Sequence, residues 1–300
     1  MFRYTTAALA ISGLTGLASA APAKRQSIDD AVILNYALTL EHLEDAFYQQ
    51  GLSKFTEQDF ADSGFDLVFY NNIKTVSSDE TQHVKFLTSA LKAAGANPVA
   101  ACEYNFGVTD VKSFIATASI LEGVGVSAYL GAAADIMSKT YLTAAGSILT
   151  VESRHSAYIR AGLDEAPFAQ PFDAPLSYNE VYSLASQFIT SCPESNVPLP
   201  VKAFPALQLH SDGGKPATSG ATVTLLTPDY QLAGAQGQKI YAAFIAVTGP
   251  TFVEAKAVDG GFEVKIPEGF AGQTYVVLTG CNKFVTDDTV AAGPAIIEIS

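Results

Sequence analysis

The 300-residue chain is acidic, with 30 Asp and Glu against 17 Lys and Arg and a formal net charge of −13. Such a surface repels nucleic acid and anionic membranes, which argues against polyanion-binding functions. With 48% hydrophobic residues the chain reads as globular, and its length allows two domains.

Residues 1–20 read as a secretory signal peptide. Arg3 supplies the basic start, residues 7–17 an apolar stretch too short to anchor in a bilayer, and Ala18-Ser19-Ala20 a cleavage site. Residues 21–27 read as a propeptide or linker containing Lys24-Arg25, which fits either a processing site or a chance charged pair. Cleavage after Arg25 starts the mature chain at Gln26 and takes the net charge from −13 to −16. No later stretch of about 18 residues escapes an interrupting charge, so no transmembrane anchor is expected. Asn-x-Ser/Thr is absent from the sequence. The chain is expected to be secreted, extracellular and soluble, with cell-surface association left open.

The first helix is expected over 28–50, capped by Ser27, with Asp29 and Asp30 in a first turn that favours negative charge. Ile33, Leu34, Ala37, Leu38, Glu41, Glu44 and Tyr48 fall near one face, and Gly51 marks the end. A second helix, capped by Thr56 or Ser63 and stopped at Gly95, carries Glu80 and His83. A Pro- and Gly-containing connector over 96–109 is long enough to cross the length of a bundle at about 3.3 Å per residue. A third helix over 110–137 carries Glu122 and Tyr129. After a break at Ser138-Lys139, a fourth runs to about 162 with Glu152 and His155. A fifth is expected over 176–192, capped by Ser177.

Residues 193–200 form a Pro-rich hinge, dividing a helical bundle over 28–192 from a second domain over 201–300. There the segments turn short and strand-like, at 222–225, 241–247, 262–266, 275–278 and 295–299, as in a small β-sandwich. This domain reads as a binding or a purely structural accessory. Three cysteines in an exported chain imply one disulfide and one spare thiol. Cys102 with Cys192 is the favoured pair, because both lie in connectors beside the helical half, leaving Cys281.

The chemistry concentrates in two Glu-x-x-His pairs, Glu80 with His83 and Glu152 with His155. On a helix this spacing sets a carboxylate and an imidazole one turn apart on one face. Two such pairs, with one Glu from each of two further helices, can hold two iron or manganese ions. Glu41 and Glu122 are the available carboxylates, both in apolar runs where a lone charge is expensive to bury. Counted from the Ser138-Lys139 break, Glu122 and Glu152 lie at similar depth in an antiparallel hairpin, roughly 20–24 Å along each helix. The competing reading makes these pairs ordinary Glu–His neighbours on solvated faces. His42 points away from Glu41, and His210 lies outside the bundle.

The run Leu34-Asn35-Tyr36-Ala37-Leu38-Thr39-Leu40-Glu41, with Tyr48 and the Glu and His residues above, resembles the ferritin-like superfamily. The mature chain is more closely similar to secreted fungal ferritin-like proteins of the stress-response or starvation-regulated type, and distantly to plant desiccation-related proteins. The resemblance implies an α+β multidomain chain, a ferritin-like four-helix bundle followed by the small β-sandwich. It makes Glu41, Glu80, His83, Glu122, Glu152 and His155 the ligands of two Fe or Mn ions. Glu44 departs from the usual first-helix pattern and stays open as an outer neighbour, a substitute ligand or a solvated residue. Tyr48 resembles a redox-active tyrosine, and equally fits a buried core position.

Two functions follow. One is a di-metal oxidoreductase: an oxidase, a ferroxidase or a peroxide-removing catalyst using O₂ or peroxide. The other is a non-enzymatic extracellular stress or surface protein that keeps the bundle as a scaffold. Iron storage in a closed cage fits least, because each subunit would carry an extra domain of about 100 residues.

Overall fold

The computed structural model describes residues 8–10, 29–210, 216–234 and 237–300. Of the expected signal peptide, only β1 (Ala8–Ala10) falls among them; the cleavage site, the dibasic pair and Ser27 lie outside the described residues. The helices that follow are α1 (Asp30–Lys54), α2 (Glu57–Asp62), α3 (Leu67–Ala93), α4 (Val111–Ala133), α5 (Lys139–Gly162) and α6 (Tyr178–Ala185). A two-residue strand β2 (Glu103–Tyr104) lies between α3 and α4, and β3 (Ile189–Ser191) follows α6. The rest is strand: β4 (Gln208–Leu209), β5 (Thr222–Leu226), β6 (Gln231–Ala233), β7 (Ile240–Phe244), β8 (Thr251–Val258), β9 (Gly261–Lys265), β10 (Gly272–Thr279) and β11 (Val290–Ile299). The chain divides into a helical unit, Ile28–Phe168 with Leu184–Val201, and a sheet unit that takes in Ala169–Ser183 and Lys202–Ser300.

In the helical unit α1 packs along α3 and α4 along α5, giving two hairpins. Each helix begins at a side chain that accepts an otherwise unpaired backbone N–H: Asp29 for α1, Thr56 for α2, Asp66 for α3, Asp110 for α4 and Ser138 for α5. The Asp30 carboxylate also accepts the backbone N–H groups of Met137 and Ser138, fastening the start of α1 to the α4–α5 turn. The crossover between the hairpins is fixed by buried Asn35, which donates to Asn97 O and accepts from Val99 N. His42 is used there too, its Nε2 lying 3.1 Å from Val99 O.

Four expectations about the helices need correcting. Gly51 does not end α1, which runs to Lys54; it lies inside the helix because Phe114 packs where a Cβ would stand, 2.1 Å away. The second helix is two, α2 and α3, because Gly64 turns the chain at φ +98° and Asp66 starts afresh. The third stops at Ala133, four residues early. The fifth is shortened to Tyr178–Ala185: beyond a 3₁₀ turn, the β-branched Ile189-Thr190 pairs as β3 with β2. Cys192 follows that strand and is joined to Cys102.

The α4 helix is the one among the described residues long and apolar enough to cross a membrane, yet 67% of that window is buried inside the protein and it contains Glu122. Its apolar character serves the bundle core.

The sheet unit is built on seven strands in the order β11-β10-β7-β8-β9-β5-β4, each neighbour antiparallel. Its two edges approach each other, and Ser300 N donates to Ala217 O where Ala217 bridges to Ile299. Phe244, Val276, Leu278, Phe262 and Ile297 fill the interior. The β1 strand pairs in parallel with β6. Cys281 is a free thiol in this unit, and His210 donates its backbone N–H to Thr224 O there.

Candidate metal centre

Four long helices each deliver acid to the middle of the bundle. Glu41 and Glu44 come from α1, Glu80 and His83 from α3, Glu122 from α4, and Glu152 and His155 from α5. Glu41, Glu80, Glu122 and Glu152 are each fully buried, and His83 and His155 nearly so. An isolated carboxylate taken out of water costs several kcal/mol even after relaxation, so four together demand compensating charge.

The donor atoms form two groups sharing two members. Glu41, Glu80, His83 and Glu152 make one; Glu80, Glu122, Glu152 and His155 make the other, with the donor atoms of each group lying within 4.8 Å of one another. His83 Nδ1 is 3.2 Å from Glu41 Oε2, 3.2 Å from Glu80 Oε2 and 3.1 Å from Glu152 Oε1. His155 Nδ1 is 3.1 Å from Glu80 Oε1 and 3.3 Å from Glu122 Oε2. A single ring nitrogen carries at most one hydrogen, so it cannot donate to three oxygens at once.

Glu80 Oε1, Glu122 Oε2, both Glu152 oxygens and His155 Nδ1 are moreover buried without an aligned hydrogen-bond partner. Their contacts are short but off the hydrogen-bonding direction, as when lone pairs converge on a common point. Separations near 3.2 Å are also those between neighbouring donors that share a cation about 2.1 Å from each. The donor set of carboxylates and imidazoles suits iron or manganese. The residues fit a pair of metal ions.

Around this set, outer groups fix the ligands. Tyr48 of α1 donates to Glu122 Oε1 of α4, and Tyr129 of α4 donates to Glu41 Oε1 of α1. Burial and neighbouring carboxylates push both phenols well above their ordinary range, keeping them donors. Asp79 Oδ2 lies 3.3 Å from His155 Nε2, which leaves Nδ1 facing the carboxylates. Tyr129 completes a pattern legible in the sequence as Glu-x₆-Tyr, repeated at Glu41/Tyr48 and Glu122/Tyr129.

Glu44 is buried beside the set, and burial followed by the charges of Glu152, Glu80, Glu41 and Glu122 raises its carboxyl well above the usual range. It belongs to neither donor group, and it is not solvated. Gly125 makes room for it: a Cβ there would stand 2.9 Å from Glu44 Oε1 and 3.2 Å from Glu152 Oε2.

Without cations, protons balance the charge. Burial disfavours imidazolium, but close contacts with Glu122 and Glu80 outweigh it and push His155 up to about 11; contacts with Glu152, Glu41 and Glu80 raise His83 likewise. Burial lifts Glu41 to about 7 against the pull of His83. Glu80 goes the other way, to about 2, because both imidazoles outweigh its burial.

Residues 29–165 match the family model described as ferritin-like domain. Protein rds1 of Schizosaccharomyces pombe is 29% identical over 178 residues, 59% of this chain and 44% of that protein. The chain therefore spans less than half the length of this curated relative. The crystal structure of a conserved hypothetical protein, rv2844, from Mycobacterium tuberculosis aligns with a TM-score of 0.39 at 16% identity, covering 47% of this chain and 96% of that one. Four antiparallel helices with converging carboxylates, together with the family match, make residues 29–165 a ferritin-like domain, followed by a mostly antiparallel β region.

Proposed function

We propose that the chain is an exported ferritin-like protein that holds two iron or manganese ions and acts on dioxygen or peroxide, as an oxidase, a ferroxidase or a peroxide-removing catalyst. One observation carries this reading: two buried donor groups share Glu80 and Glu152, with orphaned oxygens facing inward. When bound, iron or manganese supplies the one-electron chemistry that oxygen species require and protein side chains lack. Glu41 with His83 would hold one ion and Glu122 with His155 the other, with Glu80 and Glu152 common to both donor groups. Tyr129 and Tyr48 each occupy one oxygen of Glu41 and Glu122, orienting the other inward. Asp79 holds His155 with Nδ1 available. Phe47, Phe60 and Phe114 pack beyond Tyr48 and exclude water from that side.

The experiment is elemental analysis of the untagged protein beside a Glu80→Ala/Glu152→Ala variant. About two Fe or Mn per chain, lost in the variant, is expected. Absence of metal, with none taken up from anaerobic Fe(II), would leave a bundle serving as a scaffold. Export is supported by the leader pattern and the Cys102–Cys192 disulfide. N-terminal sequencing of secreted material is expected to begin at Gln26; full-length protein retained in the cytosol would overturn the exported reading.

A further inference from the structure

Next to the metal centre, toward the end of the bundle where α1 and α5 begin, lies a cavity of about 30 Å³. All four long helices line it, among others through Leu34, Phe86, Leu87, Tyr129, Ala132 and Ala145. These residues sit about two to three turns along each helix from the carboxylates: Leu34 precedes Glu41, and Leu87 follows Glu80, by seven residues, and Tyr129 reaches back to donate to Glu41. The far side of the centre differs, being filled by the rings of Phe47, Phe55, Phe60 and Phe114 with centroids 4.9–6.3 Å apart. Phe86 lines the cavity and is 46% exposed, so one edge reaches the surface.

The walls of this space present only apolar atoms. A water needs roughly 10–15 Å³ of such volume and two to four polar partners. There is room for about two waters and nothing to bond them, so the space favours a small uncharged apolar molecule. Hydrogen peroxide, with two donors and several lone pairs, would leave its hydrogen bonds unmade at about 1–3 kcal/mol each. Dioxygen has none to lose.

We infer that this cavity is a holding site for dioxygen beside the dinuclear centre, with the Tyr129 ring as the wall between them, and that it discriminates against peroxide. The inference rests on the dinuclear reading proposed above, and goes further by naming which oxygen species the bundle admits on this side.

Xenon is a suitable probe, because dry apolar cavities take it up. Crystals of the metal-free full chain under xenon pressure are expected to show a xenon atom between Leu34, Leu87 and Tyr129. Ala145→Leu, at a partly exposed position, and Ala132→Leu, deeper in the bundle, are expected to lose it. The same variants, loaded with Fe(II) anaerobically, are expected to show a severalfold fall in the ratio of the dioxygen rate to the peroxide rate. Absence of xenon from a wild-type chain that binds two metals would overturn the dioxygen site alone. Xenon bound in a chain that takes up no metal would instead overturn the dinuclear reading, and the dioxygen role with it. A xenon peak that persists in both variants, or an unchanged rate ratio, would also overturn the proposal.

Discussion

Gly125 lets α4 come close to two carboxylates at once, and that closeness separates a structural from a metal-holding role. Alanine there gains up to about 1 kcal/mol of helix propensity, but its Cβ would press on the buried carboxylates of Glu44 and Glu152. Gly125→Ala is expected to keep the thermal midpoint of the metal-free chain and lose bound metal. A lowered midpoint with full metal content would show that the position matters for packing alone. Asp79 acts at one remove. Freed from its contact, the His155 ring loses its orientation, and Asp79→Asn is expected to weaken metal binding about 10- to 100-fold in chelator competition. Unchanged affinity would make the contact incidental. Glu44 gives the plainest pH signature. Its carboxyl is raised when folded, so its stabilising contribution is present below the unfolded value of 4.5 and lost as pH rises. Glu44→Gln is therefore expected to raise the melting temperature of the metal-free chain at pH 8 and not at pH 4; an equal shift at both would refute the assignment.

At the scale of elements, what was legible in the sequence was periodicity and the residues tied to it. The four long helices and their acid-bearing faces followed from local spacing, whereas the sequence favoured the Cys102–Cys192 pair without fixing it, on the placement of both cysteines in connectors beside the helical half. Gly51 was misread because a glycine after an apolar run is indistinguishable from a C-cap until Phe114, 63 residues away in sequence, is seen against it. The tail of the fifth helix was misread for a similar reason: Ile189-Thr190 has helical neighbours in sequence and a strand partner, β2, in space. The role of Asp79 leaves no trace in the sequence, because its carboxylate reaches His155 across helices, whereas Tyr129 repeats the spacing of Glu41 and Tyr48 from Glu122. Gly51→Ala tests the distinction. A true C-cap glycine in the left-handed region would lose about 1 kcal/mol. A packing glycine in helical conformation gains propensity but collides with Phe114. Net destabilisation of about 1–3 kcal/mol by urea unfolding is expected, relieved when Phe114→Leu is added. No relief in the double variant would point to the backbone instead.

Across the whole molecule, the bundle concentrates acid that only protons or cations can balance, so stability, pH and metal are linked. In the metal-free chain His155 is raised to about 11, His83 is raised too, and Glu41 is raised to about 7. A raised group stabilises the fold fully below its unfolded pKa, and that contribution fades as pH climbs to the folded value. For Glu41 the window is 4.5 to about 7, and for His155 it is 6.5 to about 11. Glu80, lowered to about 2, acts oppositely, but its contribution is complete above 4.5 and is lost only as pH falls through about 2. Between pH 5 and 9 the metal-free chain is thus expected to lose stability steadily. Metal binding reverses the dependence, because the ions take the places of those protons and bind more tightly as the ligands deprotonate. The rise in melting temperature on adding Fe(II) anaerobically, or Mn(II), should therefore grow from pH 5.5 to pH 8.5. A gain independent of pH would mean that the ions bind elsewhere, at groups already deprotonated, and that the buried cluster keeps its protons throughout.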